Sequence, residues 1–265
     1  MSNAKDKLTN QILESPEFRP TGYTVAAQFH EPLKLLPQKG FEFAAKLTDF
    51  VDPRGVMLKE DAWVFAQPLG ESALGFLRAV IQPNTITLEA NGATYVMEYF
   101  ETRCRFVLEE FQRNFLPTWL PASMAKVSGT LDVDGDARAF LCEHLTKLSD
   151  RVQILGRPIQ LFGIRFAMPP FEARDQSSGR GRGKLIASED WSAELRAESL
   201  FADPGKLYLE ATGSWVLPTP KRWNEGTIEE VIQHLGKVST YLREHLIPFL
   251  RKRAENGENQ NDTSL

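Results

Sequence analysis

Apolar residues along the chain recur with two distinct periods, and the periods separate helices from strands. Phe100, Cys104, Val107, Phe111 and Phe115 follow one another at steps of four, three, four and four, one stripe of an α-helix at 3.6 residues per turn. This spacing predicts a long helix over 95–116. Ile228, Val231, Leu235, Val238 and Leu242 repeat at three and four and continue toward Phe249, which predicts a final helix. Thr227-Ile228-Glu229-Glu230 in front of it reads as a capping box. Two shorter helices are expected at 41–51, ended by Asp52-Pro53 because proline disfavours helical geometry in the residue before it, and at 137–148, with Asp136 as N-cap. The runs at 23–30, 56–67, 73–82, 85–90, 124–133, 159–168, 185–200 and 206–216 read as strands, with Pro83-Asn84 supplying turn chemistry for a hairpin.

These elements fall into two similar series, each running strand, helix, three strands, long helix. Short matches recur in the same order in both. Lys46-Leu47-Thr48-Asp49 answers His144-Leu145-Thr146-Lys147; Phe65-Ala66-Gln67-Pro68 answers Phe166-Ala167-Met168-Pro169; Leu77-Arg78-Ala79 answers Leu195-Arg196-Ala197; and the LEANGA stretch of 88–93 answers the LEATGS stretch of 209–214. The expected fold is therefore α+β, an internally duplicated unit of strand, helix, three mostly antiparallel strands and long helix, in two pseudo-symmetric halves. The predicted organisation is an N-terminal extension at 1–20, a first half at 21–116, a connector at 117–121, a second half at 122–253 and a disordered tail at 254–265, whose polar composition has nothing to bury. In element order alone this is similar to the duplicated saddles of TBP-like folds, a likeness of architecture that carries no function. The two halves are expected either side by side or as facing sheets.

Charge and composition narrow the function classes. With 31 basic against 35 acidic residues, a net charge of −4 and 42% hydrophobic residues, the chain has an ordinary globular composition and no global basic field to collect nucleic acid or anionic lipid. No segment has the apolar length of a membrane span, and the first twenty residues lack the apolar run of a signal peptide. Two cysteines, Cys104 and Cys142, with no metal-ligand spacing, fit a reducing compartment. A cytoplasmic protein without membrane contact is expected.

Candidate chemistry is sparse. Asp132, Asp134, Asp136 and Glu143 occupy positions 1, 3, 5 and 12 of a calcium-loop template, but Ala137 stands where that loop requires glycine and a strand precedes it. The competing reading is a strand-to-helix turn. No other cofactor is indicated. Ser177 to Lys184 alternates glycines with Arg180, Arg182 and Lys184, an arm able to touch nucleic acid or phosphate; it lacks the hydroxyl residue of a P-loop. Cys142 and His144 lie two apart on a helix and so face different ways, while His234 and His245, eleven apart, are too far separated to share a metal. No catalytic residue is assigned. In the strand at 73–82, Leu74, Phe76 and Val80 face one side and Leu77, Ala79 and Ile81 the other. Helices cover one face only, so the first set is a candidate interface. The function expected is a noncatalytic binding or scaffold protein that grips a protein partner through a sheet face and self-associates. A nucleic-acid binder using the 177–184 arm is the alternative, and an enzyme of unknown class the third.

Overall fold

The computed structural model describes residues 18–47, 52–68, 75–92, 96–133, 135–146, 159–174 and 185–250. Strand β1 (Phe18–Gln28) is followed by helix α1 (Pro37–Lys46), strands β2 (Val56–Leu58), β3 (Trp63–Pro68), β4 (Phe76–Gln82) and β5 (Thr85–Asn91), and helix α2 (Met97–Phe115). Then come β6 (Trp119–Asp132), the short helix α3 (Ala137–Ala139) with its π-helical continuation Phe140–Leu145, β7 (Gly163–Met168), β8 (Phe171–Arg174), β9 (Leu185–Glu189), β10 (Ser192–Ser199), β11 (Lys206–Arg222) and helix α4 (Glu225–Tyr241), which widens into a π-turn at Leu242–Leu246. The fold is mixed α+β.

Nine strands form one antiparallel sheet in the order β2-β3-β4-β5-β1-β6-β11-β10-β7, and β8 and β9 form a separate hairpin. The two halves of the chain thus lie side by side, joined by β1 against β6, and do not face each other. Both flanks read the same way outward from that seam. Leu77, Arg78 and Ala79 stand opposite Ala90, Glu89 and Leu88; Leu195, Arg196 and Ala197 stand opposite Ala211, Glu210 and Leu209. The two short matches noticed in the chain are therefore partner strands in both flanks, in one register. Across the seam Gly22 pairs with Ser128, Tyr23 with Val127 and Thr24 with Lys126. The match of Phe65 with Phe166 is two residues out of this register, since Phe65 lies opposite Ala79 and Phe166 opposite Leu195.

One face of the sheet carries the core. Val25, Phe65, Leu77, Ile81, Leu88, Val127, Leu195, Leu209 and Trp215 alternate inward along their strands and are buried, as the period of two requires. The stripe Phe100, Cys104, Val107 and Phe111 of α2, and Ile228, Val231, Leu235 and Val238 of α4, close over them. Phe111 lies between Phe29, Phe43, Phe115 and Trp223, with ring centroids 5.1 to 6.4 Å apart, tying α1 and α2 to the chain that leaves β1. Helix α1 opens on Pro37, whose missing N–H falls where a first turn has no partner for one, and Leu47 at its end is fully buried.

Several expected boundaries are corrected. The run at 56–67 is two strands, β2 and β3, because Glu60 and Asp61 turn the chain and Lys59 N–H donates to the Ala62 carbonyl at 2.9 Å. The run at 185–200 divides at Asp190 and Trp191 into strands of different sheets. The segment 117–121 is no free connector: from Trp119 it already belongs to β6, pairing with Arg222 and Lys221 of β11. Helix α4 is capped by Asn224, not by the anticipated Thr227 box. Asn224 Oδ1 accepts from Thr227 N–H at 3.0 Å, and Asn224 N–H donates to Thr227 Oγ1 at 2.7 Å. The extension at 1–20 contributes Phe18, Arg19 and Pro20 to β1, while the tail lies outside the described residues.

Candidate binding face of the sheet

No described helix packs on the other face of the nine-stranded sheet. Its side chains can be read in rows across the strands. One row runs Arg78, Glu89, Thr24, Lys126, Thr212 and Glu194; the next runs Phe76, Asn91, Gly22, Ser128, Glu210 and Arg196. Read in opposite directions, both begin Arg, Glu, then Thr or Ser, and then they diverge: Lys126 follows Thr24, whereas Gly22 follows Ser128.

Charges on this face are matched in place. Arg78 Nε and Nη2 both approach Glu89 Oε2 at 2.5 Å, Arg165 meets Glu194 at 2.5 Å and Arg196 meets Glu198 at 2.6 Å. Arg78 also lies 4.7 Å from the Phe76 ring centroid. Tyr208 donates its hydroxyl to Glu210 Oε2 at 2.6 Å, and burial, followed by this bond to a carboxylate, pushes the phenol up to about 12. It is a neutral donor at every physiological pH. Lys126 Nζ stands 3.8 Å from the same Oε2, beyond hydrogen-bond length. Such half-exposed pairs contribute at most about 1 kcal/mol each; their effect is to leave the face polar but locally neutral.

A depression of about 290 Å³ opens at the middle of this face, with Gly22, Thr24 and Ser128 as its floor and Arg78, Lys126 and Tyr208 among its walls. A Cβ on Gly22 would meet Ser128 Oγ at 2.6 Å, so the floor admits no larger residue without a shift. None of these residues was singled out from the chain as a site. The signal that could have found Arg78 and Glu89 is the repeated LRA and LEA, whose polar middle residues face each other.

The anticipated interface residues divide. Phe76 and Val80 are half-buried on the helix-free face and Leu77, Ala79 and Ile81 are buried under the helices, while Leu74 lies outside the described residues. Of the calcium-loop candidates, Asp132 pairs with Arg19 at 3.1 Å, and Asp136 caps α3, its Oδ1 accepting from Arg138 and Ala139 N–H at 2.9 and 3.0 Å. Asp136 is held below the ordinary carboxylate range by those backbone bonds and by the Arg138 charge, which together outweigh the upward push of burial, the largest single influence on it. Asp134 and the side chain of Glu143 lie outside the described residues, as do Arg180, Arg182 and Lys184. Among the described residues no three His, Cys, Asp or Glu side chains gather at metal-binding distance, and no helix is long and apolar enough to cross a membrane.

Beneath the opposite face lies a polar pair absent from the sequence reading. Ser123 Oγ and His234 Nδ1 are 3.1 Å apart, and the His234 ring lies parallel to Trp215 with centroids separated by 3.6 Å. Burial, reinforced by Lys237, lowers the imidazole to about 3. A Ser–His pair can serve nucleophilic catalysis, but here both residues are enclosed, at 7% and 3% exposure, and the ring finds no substrate-accessible side. Cys104 and Cys142 are free and buried, and burial pushes the Cys104 thiol up, so it is held as an inert thiol. No protein-family model matches the chain, and no curated protein is detectably similar to it.

Proposed function

We propose that this chain is a noncatalytic binding protein, formed from two copies of one strand–helix–three-strand–helix unit fused along β1 and β6, which grips a protein partner with the helix-free face of its sheet. The duplication is supported by the common register of Leu77-Arg78-Ala79 and Leu195-Arg196-Ala197 against their partner strands. Binding by the sheet face is supported by one observation above all: a broad surface of paired charges and half-buried Phe76, Val80 and Met124, with no described helix over it. Because Arg78, Arg165 and Arg196 each have a carboxylate against them and Lys126 lies 3.8 Å from Glu210, the face lacks the unmatched positive charge that a phosphate backbone selects, and complementary polar pairs suit a folded protein surface. Self-association through the same face and a cytoplasmic setting, in keeping with two free cysteines, complete the reading.

Site-specific photocrosslinking in cells tests it. A benzophenone side chain at Val80 is expected to give protein adducts that the same group at Arg113, exposed on the outer surface of α2, does not. Equal adducts from both positions, or adducts only from Arg113, overturn the sheet-face reading. Light scattering of the purified chain with and without a mixed oligonucleotide separates the alternative: a mass increase only with oligonucleotide assigns the interaction to the Arg180, Arg182 and Lys184 arm.

A further inference from the structure

The depression over Gly22 has a chemistry of its own, independent of what covers the rest of the face. It lies where the two rows diverge beyond Thr24 and Ser128. Where one row carries Lys126 the other carries Gly22, and the space that a side chain would fill stays open, bounded by Lys126 from the neighbouring row and by Tyr208 from β11. A Cβ at Gly22 would meet Ser128 Oγ at 2.6 Å, so a side chain there requires that hydroxyl to turn away from the floor.

The lining charges are unequal in their commitments. Glu89 is held by two nitrogens of Arg78, both on Oε2, so Oε1 takes no part in that pair. Tyr208 takes Glu210 Oε2 at 2.6 Å, and Lys126, 3.8 Å from that oxygen, is displaced from hydrogen-bonding distance. Its ammonium thus stands at the depression with three donors and, among the described residues, no acceptor within hydrogen-bond length. An ammonium in a half-buried polar hollow calls for an anionic oxygen. Thr24 and Ser128 offer hydroxyls on the floor, Asn91 an amide on the wall, and Glu89 an acceptor opposite Lys126 in the same row. Arg78 and Lys126 face Glu89 and Glu210, so the hollow carries no net charge: a ligand carboxylate takes the donors that Lys126 leaves unused, and nothing there neutralises a phosphate dianion. The volume, about 290 Å³, is at the small end of ligand pockets.

We propose that this depression is a binding site for a small α-amino or α-hydroxy carboxylic acid, its carboxylate on Lys126 and its amino or hydroxyl group between Glu89 and the floor hydroxyls. Titration of the purified full chain with L-serine, L-glutamine, L-malate and L-lactate, followed by amide NMR, tests this directly. At least one of the four is expected to bind with submillimolar affinity and to shift the amides of Gly22, Thr24 and Ser128. Lys126→Met keeps the aliphatic stem and removes the charge; it is expected to weaken that binding tenfold or more with the melting temperature unchanged. No shift at these three amides with any of the four acids at 20 mM overturns the proposal. So does binding that Lys126→Met leaves intact, and so does a preference for inorganic phosphate over all four. A tripeptide ending in the same free carboxylate and binding tighter than the free acid transfers the site to a protein C-terminus and overturns the small-molecule assignment. None of these outcomes depends on the crosslinking result, so the ligand site and the protein-binding face fail separately.

Discussion

His234 shows how a single residue can carry the acid sensitivity of a core. Its ring is fully enclosed, stacked on Trp215 and hydrogen-bonded to Ser123, and its imidazole is lowered to about 3 from an ordinary value near 6.5. The folded protein therefore holds the neutral ring while the unfolded chain binds a proton as pH falls through about 6.5. The stabilisation is complete above that value and is lost between about 6.5 and 3, at up to ~1.4 kcal/mol per pH unit for one proton. Urea midpoints of the wild type are expected to fall more steeply from pH 6.5 to 4 than those of His234→Leu, which has no group to protonate there. Parallel pH profiles would show that His234 titrates normally in the folded protein. Asp52, Asp136 and Asp203 are all held below the usual carboxylate range, so they lose stability in the same direction but at lower pH, and the difference between the two proteins isolates the histidine.

At the scale of elements, periodicity was sufficient where a helix or strand is amphipathic and insufficient where turns or caps decide. Helix α2 was legible because its five-residue stripe has no competing pattern, and Met97–Phe115 falls within the expected span. The start of α4 was misread by three residues. Thr-x-x-Glu fits a capping box as well as Asn-x-x-Thr does, and only the reciprocal bonds of Asn224 and Thr227 distinguish them. Asn224→Ala is expected to cost about 1 kcal/mol, read as a shift in denaturant midpoint, whereas Glu230→Ala leaves the cap intact and removes only the exposed Lys221 pair, for a change under about 1 kcal/mol. An equal or larger loss from Glu230→Ala would restore the Thr227 cap. The expected strands at 56–67 and 185–200 were both too long for one reason: period-two patterning marks which residues face inward, and it does not register a short break, at Glu60-Asp61 or at Asp190-Trp191, between two strands of like pattern.

The whole molecule depends on one seam. Strands β1 and β6 pair from Phe18 opposite Leu131 to Gln28 opposite Ala122, and each would be a long open edge without the other. Expression of residues 18–116 alone is expected to yield no stable monomer: light scattering should find a dimer, rebuilt by β1 pairing with its own copy, or aggregate. A well-dispersed, cooperatively unfolding monomer would mean that the first half is self-sufficient and that the seam is a contact between finished domains.

What the chain determined by itself is local and periodic: the apolar stripes of α2 and α4, the inward alternation of the strands, and the repeated LRA and LEA segments that turn out to be hydrogen-bonded partners. These follow from spacing within a few residues, which the backbone periods translate directly into faces. What only the tertiary structure decided is the juxtapositions across the seam and between strand and helix. Gly22 comes opposite Ser128, Lys126 comes beside Thr24, and Ser123 reaches His234 across 111 residues of chain. The register of β1 against β6 sets the first two and the packing of α4 on β6 the third, and a shift of one residue along a strand would send its side chains to the other face. A sequence shows no such register, because the pairing partners are specified by packing over the whole core and by no local spacing.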